Sequence, residues 1–360
     1  MAQIKPTPGP LRDAVEATPT ALWNDSSDLN ELKQSISYGG VGATCNPVIA
    51  YTTISKYPEI WTDRIRKIAA DNPTWGESEI GWRAVKDMSI EAAKLLEPAF
   101  KETNGRDGRL SVQTDPRFHR DAKKLADQAE EFHKMADNIV VKIPATKTGL
   151  EAIEDATYRG VSVNVTVSFT VAQAVKAAEA IERGLKKRDA EGLETKNMGP
   201  VVTIMVGRLD DWLKDCVKRE GIFIDPSALE WAGIAAFKHA YKIFKERGFR
   251  ARLLAAAFRN VLQWSEFQGG DVVVSPPFKW QKLINDSDYK FEGPRMDIPV
   301  DEYYLEQLRR IPEFIRSYEE DGMTPEEFED FGATRKTLRQ FLNADSDLDA
   351  LVRDVIVPAP

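Results

Sequence analysis

DNIVVKIPATKTG, residues 137–149, decides the reading of this chain. Ile139 to Pro144 is an apolar run broken by a single charge, Lys142, and a helical pattern follows it. A short run this apolar, bounded by Asn138 and Pro144, predicts a strand covered on both faces, as in a parallel sheet. A lysine inside such a strand has two fates. It threads its amine out to water or into an ion pair, or it stays desolvated, where burial favours the neutral, nucleophilic amine.

Composition narrows the setting. The 360 residues are 42% hydrophobic and 29% charged, with 49 basic against 57 acidic groups and a net charge of −8. No Lys/Arg cluster stands out, so neither nucleic acid nor an anionic membrane is the expected partner. Cys45 and Cys216 cannot build a disulfide framework, and the three histidines show no ligand spacing. The expectation is a cytosolic protein using neither metal nor cofactor, since no signal-peptide core or 18-residue apolar run is present.

From Ala21 onward, eight short apolar runs alternate with helix-period segments: ALWND (21–25), VGATCN (41–46), RLSVQTD (109–115), IVVKIP (139–144), VSVNVT (161–166), VVTIMVGR (201–208), RLLAAAFRN (252–260) and DVVVS (271–275). Eight βα units in this length predict a closed (β/α)8 TIM barrel. The connection 47–108 has room for three helices. Residues 1–20, punctuated by Pro6, Pro8, Pro10 and Pro19, read as an irregular N-terminal arm. The barrel domain spans 21–280, and 281–360 hold its last helix plus a helical extension. Thr324, Pro325 and Glu327 there form a capping signature for a helix start. Such an extension caps a barrel, reaches over its mouth or builds a homo-oligomer contact.

Alternate residues of a barrel strand point inward, and chemistry sits at the C-terminal strand ends. Parity then groups Val140 with Lys142; Ser162 with Asn164 and Thr166; Ser111 with Gln113; Thr44 with Asn46; Trp23 with Asp25; Thr203 with Met205; and Ala255 with Ala257 and Arg259. A mouth lined by so many polar groups is poorly explained by packing alone. A lysine among hydroxyls and amides suits Schiff-base chemistry on a carbonyl substrate, the protonated imine drawing electrons from the bond that breaks. Asp25 is placed to take the proton from the hydroxyl at the departing carbon. Thr166 with Gln113 would hold a proton-shuttling water, and Asn46 and Asn164 would orient substrate hydroxyls. The residues thus predict aldol cleavage or transfer on a sugar.

The motifs resemble those of the transaldolases over nearly all of residues 21–275. WNDSSD carries Asp25, GATCNP carries Thr44 and Asn46, IVVKIPAT carries Lys142 and VSVNVTVSF carries Asn164 and Thr166. VGRLDDW and AAAFRN supply Arg208 and Arg259. The resemblance implies a lysine imine at Lys142, a sugar-phosphate substrate gripped by the two arginines, and a place in carbohydrate metabolism such as the pentose phosphate pathway.

Three departures accompany it. Gln113 stands where transaldolases carry a glutamate, and a glutamine orients water but cannot take its proton. The related fructose-6-phosphate aldolases have glutamine there, yet pair it with a tyrosine where this chain has Met205. Thr203 and Ala257 replace serines of the family's substrate and phosphate sites. The long 47–108 and 281–360 segments exceed a minimal member. The leading expectation is a transferase moving a dihydroxyacetone unit. The alternatives are an aldolase that releases the ketone and a non-catalytic sugar-binding barrel.

Overall fold

The computed structural model describes residues 4–359. Its eight strands are β1 (Ala21–Asn24), β2 (Gly40–Cys45), β3 (Arg109–Gln113), β4 (Ile139–Pro144), β5 (Val163–Thr166), β6 (Val201–Ile204), β7 (Arg252–Ala256) and β8 (Val273–Ser275). They close in chain order into one all-parallel barrel, the expected (β/α)8 fold. Three helices, Pro47–Lys56, Pro58–Asp71 and Glu77–Glu102, fill the long connection after β2.

The two faces of each strand explain the closure. Val112, Ile139, Val141, Ile143, Val163, Val165, Val202 and Ile204 point outward and join the large core beneath the surrounding helices. Fully burying one such side chain is worth about 1.5–3 kcal/mol, so a register slip of one residue would expose the whole layer. Inside, Ala21, Trp23, Val140, Val201, Leu254, Ala256 and Val273 form a separate apolar plug. Trp23 needs a glycine opposite it: a Cβ on Gly42 would lie 2.4 Å from the indole ring. The barrel interior is therefore filled from below, and polar groups are left to its C-terminal end.

Three expectations need correction. The N-terminal arm is not irregular throughout, because Pro10–Ala17 forms a helix whose Leu11 and Ala14 are buried. Pro10 sits at the first helical position, where the missing N–H costs nothing; residues 1–3 lie outside the described residues. Parity on β7 runs one residue out of step. Leu254 and Ala256 face inward, Ala255 faces the helices, and Ala257 breaks the alternation with φ of 63°. Arg208 and Arg259 stand beyond their strands, the first on the helix Val206–Glu220 and the second in the loop after β7. The capping signature at Thr324 starts only a 3-10 turn, Pro325–Glu327.

The chain beyond β8 forms the last barrel helix, Phe278–Asn285, two short helices, Glu302–Leu308 and Pro312–Tyr318, and a 25-residue helix, Gly332–Ile356. This C-terminal helix packs against the segments that follow β2, β3 and β6. It thus crosses the rim where the C-terminal strand ends lie. Among the described residues no helix is long and apolar enough to cross a membrane.

Candidate active site

Lys142 lies at the C-terminal end of β4, in register with Gln113 on β3 and Asn164 on β5. Its side chain is buried. Burial, the strongest influence on it, pushes the ammonium below its usual range, while Asp25 and Cys45 oppose the fall and Arg208 adds to it. The neutral amine is therefore favoured over what an exposed lysine would show.

Around it, hydrogen bonding separates groups already occupied from groups left free. Asn164 is occupied: its Nδ2 donates to Ser111 Oγ at 3.0 Å, and its Oδ1 accepts from Thr203 Oγ1 at 2.8 Å. That locked chain from β3 through β5 to β6 fixes the layer beside the lysine. Asp25, just past β1, accepts from Thr44 Oγ1 at 2.7 Å. Asn46 uses its Oδ1 to cap the helix Pro47–Lys56, accepting from the Ile49 N–H at 3.0 Å, as N-cap residues commonly do. By contrast Gln113 Oε1, Thr166 Oγ1 and Ser275 Oγ are buried without a hydrogen-bond partner. Unpaired buried polar atoms cost free energy and are uncommon in interiors. Their grouping at the lysine's end of the barrel suits a site built for a polar ligand.

Backbone strain marks the same rim. Val167, directly after Thr166, has φ of 50° and Ala257 has φ of 63°. A β-branched residue there is an outlier, and such strain collects at functional sites. Buried Gln173 clamps the first of these turns, donating from Nε2 to the carbonyls of Ala145 and Val167 and accepting the Phe169 N–H.

The two arginines meet at the other side of the mouth. Gly207 permits this, since a Cβ there would lie 2.0 Å from the Ala257 carbonyl and 2.7 Å from the Arg259 side chain. Arg208 donates to Gln340 Oε1 at 2.6 Å and Thr337 Oγ1 at 3.2 Å on the C-terminal helix, and its Nε is buried without a partner. Burial first and the neighbouring Arg259 second depress its affinity for protons. Arg259 is exposed and pairs with Asp211 at 2.8 Å. Its backbone N–H is held by Gln263, which in turn donates to buried Asp210. Two adjacent guanidiniums sharing one nearby carboxylate make an anion-receptive corner.

Cys45 is buried on the outward face, where desolvation pushes its thiol up to about 11, so it packs rather than attacks. Ala257 brings no hydroxyl to the arginine corner, and Met205 is the buried residue preceding Arg208's helix. Sequence reading missed Ser275, although DVVVS alternates and ends on a serine in phase with inward Val273. It also missed Thr337 and Gln340, for which a helix far along the chain gives no signal.

Fold and mouth together define a (β/α)8-barrel protein with a desolvated lysine at the C-terminal ends of its strands, an arrangement suited to covalent chemistry on carbonyl compounds. Comparison with known proteins carries this to a family. Residues 22–339 match the family described as transaldolase/fructose-6-phosphate aldolase, and the chain belongs to that family. It is 32% identical over 259 residues to the transaldolase of Thiobacillus denitrificans, covering 68% of this chain and 71% of that one. A transaldolase of Mycobacterium tuberculosis is 31% identical over 264 residues, 70% of this chain and 65% of its own length. Transaldolase 1 of Streptomyces avermitilis is 31% identical over 209 residues, 57% of this chain and 54% of that one.

Proposed function

We propose that this protein is a transaldolase-type transferase that moves a three-carbon dihydroxyacetone unit from a ketose phosphate to an aldehyde through an imine on Lys142. The observation that carries the reading is the buried amine, favoured as the neutral nucleophile and set among the unpaired polar atoms of Gln113, Thr166 and Ser275. Lys142 Nζ adds to the ketose carbonyl, and a proton delivered to the resulting hydroxyl releases it as water. The iminium that remains accepts the electron pair of the breaking carbon–carbon bond. Asp25, steadied by Thr44, removes the proton from the hydroxyl on the departing carbon as it becomes an aldehyde. The bound enamine then attacks the acceptor aldehyde, and hydrolysis of the new iminium frees the lysine. Thr166 and Gln113 hold the water of the imine steps. Thr203 and Asn164 shape the layer that seats the substrate, Asn46 contacts a hydroxyl from its capping position, and Arg208 with Arg259 receive the phosphate.

Gln113 supports a second reading, an aldolase that releases the ketone. A glutamine holds water without ionising, which changes the balance between acceptor attack and hydrolysis. Borohydride trapping with fructose 6-phosphate, read by intact mass, tests the common step: an adduct on wild type absent from Lys142→Ala is expected, and an equal adduct on both would refute it. Free dihydroxyacetone formed at the same rate with and without acceptor would favour the aldolase. The reading also entails a cytosolic protein whose partner is a sugar phosphate rather than nucleic acid or membrane. It leaves residues 281–360 available as a homo-oligomer contact as well as a cover for the mouth.

A further inference from the structure

The C-terminal helix brings a second carboxyl to the rim that the barrel motifs do not contain. Asp345 is 4% exposed. Together with Asn46, Gln113, Cys45, Trp82 and Leu348 it lines a cavity of about 10 Å³, roughly the room one water needs. Gln113 brings to this neighbourhood an Oε1 that is buried and unpaired. Asp345 is not simply neutralised in an ion pair. Its Oδ2 lies 3.0 Å from Arg117 Nε, but the same guanidinium binds Asp115 through two nitrogens, at 2.9 and 2.6 Å, and Asp349 at 3.4 Å. One arginine is divided among three carboxylates, of which Asp115 and Asp345 are both buried. Asp345 also lies outside the residues 22–339 that match the family.

We propose that Asp345 is a proton-relay and positioning residue for the lysine site, supplying through Gln113 and a water between them the ionisable carboxyl that Gln113 itself lacks. The inference rests on the imine reading of Lys142. In imine formation the carbinolamine hydroxyl leaves as water after receiving a proton from the water held by Gln113 and Thr166. The Asp345 carboxyl restores that proton and becomes carboxylate. On hydrolysis the attacking water gives its proton back along the same path, so the relay ends each cycle unchanged.

The surroundings set the charge state of the relay. Asp115 and Arg117 face Asp345 from the segment after β3. The Trp82 indole N–H, itself unpaired, faces it from the helix Glu77–Glu102, and Cys45 lies across the cavity on β2. Asp349 lies one turn on along its own helix, followed by Arg353, which is paired to Glu77. Burial, then repulsion from Asp115, raise the Asp345 carboxyl to about 7 against the pull of Arg117. A group poised there gives and takes protons near neutrality, as relay chemistry requires.

The test uses full-length wild type, D345N, Q113E and the D345N/Q113E double variant. For each, kcat and KM with fructose 6-phosphate and an acceptor aldehyde are measured across pH, alongside borohydride trapping. D345N is expected to lose kcat on the order of 10²-fold with KM little changed, and to lose the limb of the pH profile near neutrality. Q113E in the D345N background is expected to restore most of the loss, because it returns a carboxyl to the same cavity. An adduct on wild type with unchanged kcat and profile in D345N overturns the relay alone. So does a D345N loss that Q113E fails to rescue while the folded circular-dichroism signal persists, which would leave Asp345 only a helix anchor. No adduct on wild type overturns the imine reading and the relay with it. Should D345N not fold, Q113E alone decides: a second carboxyl beside Asp345 shifts the neutral limb to higher pH, and an unshifted limb overturns the relay.

Discussion

Replacing Arg208 by alanine tests how the mouth recognises its substrate. The guanidinium is half-buried, its Nε is without a partner, and its other contacts are neutral groups on the C-terminal helix, Gln340 and Thr337. No carboxylate among the described residues pairs with it within salt-bridge distance, so its charge is held for a ligand. A hydrogen bond to a charged group is worth about 1.5–3 kcal/mol, which corresponds to roughly 10- to 150-fold. R208A is therefore expected to lose about that factor in kcat/KM for fructose 6-phosphate. With unphosphorylated fructose the loss should stay within a few-fold, because that ketose never uses the interaction. R208K should fall between, since an ammonium restores charge without the planar fork. Q340A removes the helix contact but keeps the cation and serves as the control for loosening of the rim. The assay is steady-state transfer to one acceptor aldehyde, with both ketoses at matched saturation. An equal loss on both ketoses would refute the reasoning and assign Arg208 to holding the helix in place.

Other consequences follow from burial and geometry. Lys142→Met should abolish the borohydride adduct yet raise stability by about 0.5–2 kcal/mol in denaturant titration, because a desolvated amine is exchanged for an apolar chain; a destabilised variant would contradict the strained-site view. Gly42→Ala forces a Cβ to within 2.4 Å of the Trp23 ring and should cost about 1–3 kcal/mol by the same titration. Asp210 is fully buried, and desolvation raises its carboxyl to about 8 from an unfolded value near 3.8. The folded chain then binds the extra proton between about pH 4 and 8, so this group's contribution to stability is present at pH 4 and lost as pH rises through 8. Asp210→Asn should flatten that decline, and parallel stability curves for the two proteins would disprove it. Ala257→Gly relaxes a backbone held at φ of 63° and is expected to stabilise the folded state by up to about 1 kcal/mol, measured as a shifted denaturation midpoint.

How much of this was readable in advance depended on whether alternation survived. Six strands keep a strict inward–outward rhythm to their ends, and there Lys142, Gln113, Thr166 and Asn164 fall where period two puts them. On β7 the rhythm fails, because a run of small apolar residues in RLLAAAFRN fits either phase and the turn at Ala257 then changes direction. Arg208 was legible as a residue type but not as a helix residue, since VVTIMVGR continues its apolar pattern past the strand end at Ile204. The helix at Pro10 was hidden by counting prolines without asking which occupied a first-turn position. Asp345 could not be found at all: nothing local ties a helix near the end of the chain to a glutamine on the third strand. Which polar groups are free and which are already bonded, as with Thr166 against Asn164, is likewise a property of the assembled rim.

The apolar plug built on Trp23 has a kinetic consequence. With Trp23, Val140, Val201, Leu254, Ala256 and Val273 filling the barrel interior, the first product and the incoming acceptor use the same doorway at the strand ends. The two cannot occupy it together while the three-carbon unit remains attached to the lysine. Turnover must then alternate departure and arrival, giving parallel double-reciprocal plots and a ceiling on rate when leaving aldehyde accumulates. The residues that hold the barrel closed from below thus fix the order of events above.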